Sequence, residues 1–498
     1  MNQTLNLEAF GKNDIRGIFP SEVNSKLFFQ AAKAYVSFAL RELKKTNENI
    51  KPKDLLISVC ADARVHSCEL KKAIIQGVTS FGANAIDLGL APTPLGYYSE
   101  FAKIDSAVTE GKKVIGALII TASHNPSEYN GLKMTFKGQS LSENQIKDIK
   151  ELTKEIYEKS TGYRQNISGF CREYDIVSNY QSKIYDSFGP IGKGIKVVVD
   201  SANATGGIVA PKLYKDLGCE VVELYSNPDG TFPNHHPNPS DISTLNDIRK
   251  KVVETNADLG IAFDGDSDRI GAIAPDGSII SGDKLLLIYA SDLIETLRVH
   301  KEKPTIVSEV KCSQVLYDEI EKLGANAVMT KTGHGYIKAK MRETGALLAG
   351  EMSGHTFFKD RYYGYDDAIY AGCRLIEIVA KNKKNNPSFK LNSLLKPFSE
   401  VFLSDEVRLS CPNQYKKEVL EEIEKTINNN NDFFNSKIKE IITIDGLRII
   451  FDDGFALIRK SNTEPVFTLR FEAKTKEKCD NYKETLCNLV VELTGKKV

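Results

Sequence analysis

Three aspartates stand at alternate positions in Asp264-Gly-Asp266-Ser-Asp268-Arg269, directly after the apolar run Leu259–Phe263. Carboxylates so close repel one another unless a cation neutralises them, and hard oxygen ligands select Mg2+ or Ca2+. An EF-hand begins in this way but needs glycine at loop position six and glutamate at position twelve. Arg269 and Pro275 stand there instead, so that reading fails. Three protein carboxylates leave coordination positions open for water and phosphate oxygens, which suits Mg2+ in phosphoryl transfer; a solvated turn is the alternative.

A second loop, Ala122-Ser123-His124-Asn125-Pro126, follows the apolar run Val114–Thr121 and leads to Asn130-Gly-Leu-Lys133. Ser123 lacks the flanking glycines of the GxSxG nucleophile elbow, which argues against acyl transfer. It could instead carry a phosphoryl group, with Lys133 balancing charge or moving protons; a plain Ser/Asn/Pro turn is the alternative. A third loop, Gly350-Glu351-Met-Ser353-Gly-His355, places an acceptor, a hydroxyl and an imidazole at alternate positions. In an extended loop they share a face, which suits a polyhydroxylated ligand; a capped loop without a ligand is the alternative. The fourth, Arg459-Lys-Ser461-Asn462-Thr463-Glu-Pro465, joins a fixed cation to hydroxyls and turn N–H groups, a phosphate cradle or a solvated hairpin loop. No GxxxxGK[ST], GxGxxG or kinase set occurs, so nucleotide chemistry is unsupported.

The elements that must position these loops alternate in type. Strand-like runs at Leu55–Cys60, Val114–Thr121, Val197–Asp200, Glu220–Leu224, Leu259–Phe263, Thr305–Val310 and Ala346–Ala349 are separated by amphipathic stretches. Those stretches are Asn24–Leu43, Glu143–Lys159, Asp241–Glu254, Gly282–Thr296 and Asp366–Ala380. The alternation predicts α/β layers with mostly parallel sheets, and ligands gather at the carboxyl ends of such strands. Near the end, strands at Phe455–Arg459 and Val466–Phe471 and a helix at Thr475–Leu493 predict an α+β unit. Lys381–Lys390 reads as a linker and Asn428–Asn431 as a surface loop.

The chain has 498 residues, and its 66 Lys+Arg balance its 66 Asp+Glu. That excludes a global polyanion binder, and 41% hydrophobic residues exclude a disordered tail protein. The length suggests about three or four domains. Nine cysteines without a CxxC pair read as free thiols in a reducing compartment. With no signal peptide and no run near the ~18 apolar residues of a membrane helix, a soluble cytoplasmic protein is expected.

In this order the four loops closely resemble those of the α-D-phosphohexomutase superfamily. Thr121–Pro126 is similar to its phosphoserine loop, Asp264–Arg269 to its metal loop, Gly350–His355 to its sugar loop and Arg459–Pro465 to its phosphate loop. Asp14-Ile-Arg16-Gly17, Pro92-Thr-Pro94, Asp229–Pro239 and Lys331-Thr-Gly-His334 also match, so the resemblance covers essentially the whole chain. GEMSGH is similar to the phosphomannomutase/phosphoglucomutase branch, whereas the phosphoglucosamine branch usually carries GEQSGH. Two departures stand out: Asn13 where that branch usually has tyrosine, and Cys60-Ala61-Asp62 in place of Gly-Arg-Asp.

The resemblance implies three α/β domains with mixed, mostly parallel sheets plus a C-terminal α+β domain, around a central cleft. The expected bounds are 1–163, 164–290, 291–390 and 391–498. It implies interconversion of hexose 1- and 6-phosphates, of mannose or glucose, through phosphorylated Ser123 and a hexose 1,6-bisphosphate intermediate that also serves as activator. One Mg2+ would lie on Asp264, Asp266 and Asp268 and touch the phosphorylated Ser123. Lys133 and His334 are the implied acid–base groups, Arg16 and Lys311 the charge partners, and Arg269 the residue that steadies the phosphoserine region. Glu351, Ser353 and His355 would hold sugar hydroxyls; Arg459, Ser461, Asn462 and Thr463 would hold the distal phosphate. Partners would be small hexose phosphates, with no nucleic acid or membrane, in a monomer or weak homo-oligomer. A phosphoglucosamine mutase, a metal-dependent sugar-phosphate phosphatase and a non-catalytic sugar-phosphate-binding protein are the alternatives.

Overall fold

The computed structural model of the chain describes residues 5–159, 168–298, 303–430, 432–461 and 464–497. They form two compact units. One comprises Met1–Ser281, Ser353–Phe358 and Tyr365–Asn392; the other comprises Gly282–Met352, Lys359–Gly364 and Ser393–Val498.

In the first unit, strand Leu56–Ala61 is buried at every position and pairs in parallel with Asn84–Leu90 and Val114–Ile120. Strand Val114–Ile120 pairs antiparallel with Tyr129–Phe136, and that strand with Ile15–Ile18 at the sheet edge. Cys171–Glu173 joins the other edge, and Gln139–Ser140 forms a short hairpin with Tyr129–Phe136. Helix Ser25–Lys44 starts where the Asn24 side chain accepts from the Leu27 N–H. It buries Leu27, Phe28, Ala31, Ala32, Tyr35, Phe38 and Ala39, at helical spacing, and packs on helices Ser67–Ser80 and Glu143–Lys159. The three parallel strands end at Ala61, Leu90 and Ile120, so Arg64, Thr93 and Ser123 all follow the carboxyl ends of strands in one sheet.

A second sheet of this unit runs Ile279–Ile280, Ile270–Ile273, Leu259–Phe263, Lys196–Asp200, Glu220–Leu224. Its last three strands are parallel, while Leu259–Phe263 turns back antiparallel into Ile270–Ile273. The six residues Asp264–Arg269 are the turn of that hairpin, with Phe263 opposite Ile270. Helix Ala368–Asn385 also belongs here: the hydroxyl of Tyr214 donates to Ile369 O and that of Tyr180 to its N-cap, Asp367.

The second unit holds a parallel trio, with Thr305–Glu309 between Asn326–Thr330 and Leu348–Gly350. Helices Gly282–Arg298, Gln314–Lys322 and His334–Thr344 accompany it. A six-stranded antiparallel sheet follows, with helices Lys416–Asn429 and Lys476–Gly495 burying Val419, Ile423, Tyr482, Leu486 and Val490 in its core. The side chain of Arg448, fully buried in strand Leu447–Phe451, donates to Val310 O and Cys312 O and lies 3.7 Å over the ring of Phe455. That interaction ties the antiparallel sheet to the loop after Thr305–Glu309.

The fold is thus three α/β domains with mixed, mostly parallel sheets and a C-terminal α+β domain. Several local expectations need correction. Lys381–Asn385 is the last turn of helix Ala368–Asn385, not linker. Its lysines suit the negative end of the helix dipole, so polarity did not mark a loop. The stretch Asp241–Glu254 opens with a 3-10 turn, Ile242–Leu245, before the α-helix Asn246–Glu254. Asn428 and Asn429 finish helix Lys416–Asn429. The C-terminal sheet has six strands rather than two: three of the other four are short strands at its edges, and the fourth, Leu447–Phe451, is an interior strand buried at every position, without the alternation that marks a half-buried strand. No described helix is long and apolar enough to cross a membrane, and all nine cysteines are free.

Candidate active site

Ser123 sits one turn beyond a buried strand, at φ 50°, in the left-handed region that costs a serine about 1 kcal/mol or more. Several groups hold it there. Its N–H donates to Thr121 Oγ1 at 2.8 Å, and its carbonyl accepts from Arg64 Nη2 at 2.8 Å. The Arg64 side chain is wholly buried and also donates to Asn125 O at 2.6 Å, Tyr129 O at 3.1 Å and Pro126 O. Its Nε meets Asp62 Oδ2 at 3.1 Å, and Asp62 accepts from Ser67 Oγ at 2.5 Å. A Cβ on Gly265 would stand 2.3 Å from Ser123 O, so the metal-loop backbone approaches as closely as glycine allows.

The Ser123 hydroxyl donates to Asp264 Oδ2 at 2.7 Å and lies 3.1 Å from His124 Nδ1. Burial, reinforced by Arg269 and Arg16, pushes the His124 imidazole far down, which keeps it neutral. Asp264, Asp266 and Asp268 are fully buried, with ligand oxygens within 4.8 Å of one another. Asp264 Oδ1 accepts from the N–H groups of Asp268 and Arg269, both at 3.1 Å, which closes the turn. Thr93 Oγ1 donates to Asp266 Oδ2 at 2.5 Å, and Thr93 N to Asp266 O at 2.9 Å.

Lys133 Nζ lies 2.7 Å from Asp266 Oδ2 and 2.5 Å from Asp268 Oδ2. It projects from Tyr129–Phe136, the strand beside that leading to Ser123. Burial opposes its charge, but Asp266 and Asp268 outweigh burial and raise its pKa well above the ordinary lysine value. Asp268 is held well below the usual carboxylate range: burial works against ionisation, and Lys133 and His355 overcome it. Asp264 goes the other way, raised by burial and then by Asp268 and Asp266. One lysine thus neutralises only part of the triad. Asp266 Oδ1 is buried with no hydrogen-bond partner among the described residues. An acceptor-only oxygen left bare beside two further carboxylates fits a hard divalent cation.

Arg16, on edge strand Ile15–Ile18, donates from Nη1 to Asn125 Oδ1 at 2.8 Å and from Nη2 to Asp14 Oδ2 at 2.6 Å. Burial disfavours its charge, but Asp14, Asp266 and Asp268 more than offset that. Its Nε is buried without an acceptor among the described residues. Arg269 Nε lies 3.4 Å from His355 Nε2, which is 3.1 Å from Asp268 Oδ1. Ser353 Oγ lies 3.1 Å from His355 Nδ1, and Ser353 O accepts from Ser240 Oγ at 2.9 Å. The first unit therefore gathers Ser123, Lys133, the three aspartates, Arg16, Arg269 and His355 into one network.

The remaining candidates belong to the second unit. Glu351 Oε1 accepts from Gly333 N at 2.6 Å, and Gly333, at φ 127°, begins the turn into helix His334–Thr344. Lys311 N donates to Glu309 Oε2 at 3.2 Å. Arg459 pairs with Asp445 Oδ2, from Nη2 at 2.8 Å and Nε at 3.1 Å. Ser461 O accepts from Lys416 Nζ at 3.0 Å. Asn462 and Thr463 lie outside the described residues.

Residue types alone did not single out Arg64, Asp62, Thr93, Glu309, Thr332 or Asp445 as part of these networks. Four of them did carry a motif signal: Thr93 as the centre of Pro92-Thr-Pro94, Thr332 within Lys331-Thr-Gly-His334, and Asp62 and Arg64 at the segment that stands in place of Gly-Arg-Asp.

Comparison with known proteins adds an independent line. Residues 7–160, 179–277 and 281–398 match alpha/beta/alpha domains I, II and III of phosphoglucomutase/phosphomannomutase, and residues 406–489 match its C-terminal domain. A phosphomannomutase/phosphoglucomutase of Pseudomonas aeruginosa is 36% identical over 487 residues, spanning 97% of this chain and 96% of that one. A phosphoglucomutase of Neisseria meningitidis is 39% identical over 420 residues, 84% of this chain and 85% of its own. A crystal structure of a phosphoglucomutase/phosphomannomutase family protein from Burkholderia thailandensis superposes with TM-score 0.85 at 32% identity, covering 98% of both chains.

Proposed function

The chain belongs to the phosphoglucomutase/phosphomannomutase family and is a hexose-phosphate mutase, and from that premise we propose that it moves a phosphoryl group between O1 and O6 of glucose or mannose through phosphorylated Ser123. The observation that carries this reading is the Ser123 hydroxyl, 2.7 Å from Asp264 and within one buried network of carboxylates, lysine and arginine.

In the proposed cycle, phosphorylated Ser123 gives its phosphoryl group to the free hydroxyl of a hexose 1- or 6-phosphate. The serine O–P bond breaks as the sugar O–P bond forms, and the product is a hexose 1,6-bisphosphate. The bisphosphate reorients and returns its other phosphoryl group to Ser123. Asp264, Asp266 and Asp268 would hold Mg2+ together with a phosphoserine oxygen, and the ion when bound supplies charge neutralisation for the transferring group. Lys133, which pairs with Asp266 and Asp268, is assigned charge balance and proton transfer at Ser123. His334 is assigned proton transfer at the sugar. Arg16 would direct its unused Nε at the phosphoryl oxygens. Arg269 would steady the phosphoserine loop, and Lys311 would balance substrate charge. Glu351, Ser353 and His355 would bind sugar hydroxyls; Arg459, Ser461, Asn462 and Thr463 would bind the phosphate that does not react. The nine free thiols suit a reducing compartment such as the cytoplasm.

A coupled assay tests the reading: glucose 6-phosphate formed from glucose 1-phosphate, with Mg2+ and catalytic glucose 1,6-bisphosphate. Turnover that disappears in Ser123→Ala is expected. No turnover from protein shown by mass to carry phosphate on Ser123 would overturn it. Mannose 1-phosphate and glucosamine 1-phosphate, run beside it, decide the sugar.

A further inference from the structure

Within the second unit, Glu309 closes the central strand Thr305–Glu309 and is fully buried. A carboxylate in that setting is costly unless its oxygens are met by donors. Donors arrive from three separate loops. Lys311 N reaches Oε2 at 3.2 Å, and Lys311 Nζ lies 3.8 Å from Oε1. The Thr332 hydroxyl donates to Oε2, and Met352 N reaches Oε1 at 3.3 Å.

The chain of contacts continues through Thr332. Its N–H donates to Asp445 Oδ2 at 3.2 Å, the same oxygen that receives Arg459. The next residue, Gly333, donates to Glu351 Oε1 at 2.6 Å. One buried carboxylate therefore joins the loops carrying Lys311, His334 and Glu351, and one further threonine and aspartate extend the connection to Arg459.

We propose that Glu309 is a positioning residue for substrate recognition, which holds Lys311 and Glu351 in register with each other and, through Thr332 and Asp445, with Arg459. This rests on the assignment of Glu351 and Arg459 as contacts to the sugar and its phosphate. Only an acceptor-only group satisfies donors converging from three directions. Glutamine has the same shape but turns an NH2 toward one of them, so that loop must move.

The test is steady-state kinetics on the full-length protein with glucose 1-phosphate and mannose 1-phosphate, at saturating Mg2+ and glucose 1,6-bisphosphate. Glu309→Gln is expected to raise KM about tenfold for both substrates, the size of one charge-assisted hydrogen bond, while kcat stays within about threefold. Glu309→Asp, which keeps the charge, should recover part of the loss. Asp445→Asn should raise KM too, and combining it with Glu309→Gln should give less than the product of the single effects, because both interrupt one chain. If Glu309→Gln fails to fold, Thr332→Val removes one donor at constant shape and should raise KM several-fold. An unchanged KM in Glu309→Gln or Thr332→Val, or a loss confined to kcat in proportion to unfolded protein, overturns the proposal. Glu351→Ala and Arg459→Ala separate the two levels. If they raise KM while Glu309→Gln does not, only the positioning role fails; if they too leave KM unchanged, the assignment of the substrate contacts fails.

Discussion

Arg64 Nη2 lies 2.8 Å from the carbonyl oxygen of Ser123, although the two residues are 59 positions apart in the chain. The same guanidinium holds three further carbonyls of the segment 125–129 and is balanced by Asp62. Backbone carbonyls that turn inward at a strand end would otherwise be buried without donors. A planar group with several N–H bonds in a fixed fork satisfies them together, and a lysine cannot.

Arg64→Lys should therefore behave like Arg64→Ala rather than like wild type. Both variants should lower kcat about a hundredfold, because a displacement of about 1 Å at the nucleophile is enough for that. KM should stay near the wild-type value. Breaking the buried pair with Asp62 should also cost about 3–5 kcal/mol of stability. Parallel kinetics and denaturant melts check both, and wild-type kcat in Arg64→Lys would refute the account.

Among the described residues, Lys133 bonds to both Asp266 and Asp268, whereas His355 reaches Asp268 alone. Lys133→Met should consequently destabilise metal-free protein by about 3–5 kcal/mol. Added Mg2+ should recover most of that, since the ion takes over the neutralisation. Melting curves in chelator and in Mg2+ measure the difference, and equal destabilisation in both would contradict the arrangement.

Chelation of the wild-type protein should reduce turnover to background, and Mg2+ should restore it. Asp266→Asn, which turns the partnerless Oδ1 carboxylate into an amide, should raise the Mg2+ concentration needed for half-maximal turnover by tenfold or more. Unchanged Mg2+ dependence in this variant would remove Asp266 from the ligand set.

Glu100 supplies a pH dependence away from the metal loop. Burial raises its carboxyl to about 7, although Thr135 Oγ1 and Gly138 N each donate to it at 2.5 Å. Its folded value thus lies above its unfolded value of about 4.5. The associated stability is complete below about pH 4.5 and disappears as pH rises through about 7, a change of about 3 kcal/mol. Wild-type protein should lose stability across that window relative to Glu100→Gln, which does not titrate. Parallel curves for the two proteins between about pH 5 and 8 would exclude the shift.

Much of the architecture was readable from local pattern. Leu259–Phe263 and Glu220–Leu224 are strands at the bounds their apolar runs suggest, and Glu143–Lys159 is a helix at the bounds its periodicity suggests. A strand's two-residue period and a helix's 3.6-residue period are written into nearest neighbours. Lys381–Asn385 was misread for the same reason: a polar helix end and a linker share a composition.

The sequence by itself determined the chemistry available: a serine and a lysine one strand apart, a run of alternate aspartates, and loops of hydroxyl, imidazole and cation. It also determined the family, since those motifs occur in one order. Only the tertiary structure decided the pairings. Lys133 faces Asp266 across 133 positions, Thr93 grips the same aspartate across 173, and Arg64 rather than a glycine framework holds Ser123. Glu309 looks like any acidic residue at a strand end until burial places donors from three loops around it. The physical reason is common to all four. A charge is tolerated inside a protein only when partners surround it, and those partners come from wherever the fold brings chain segments together.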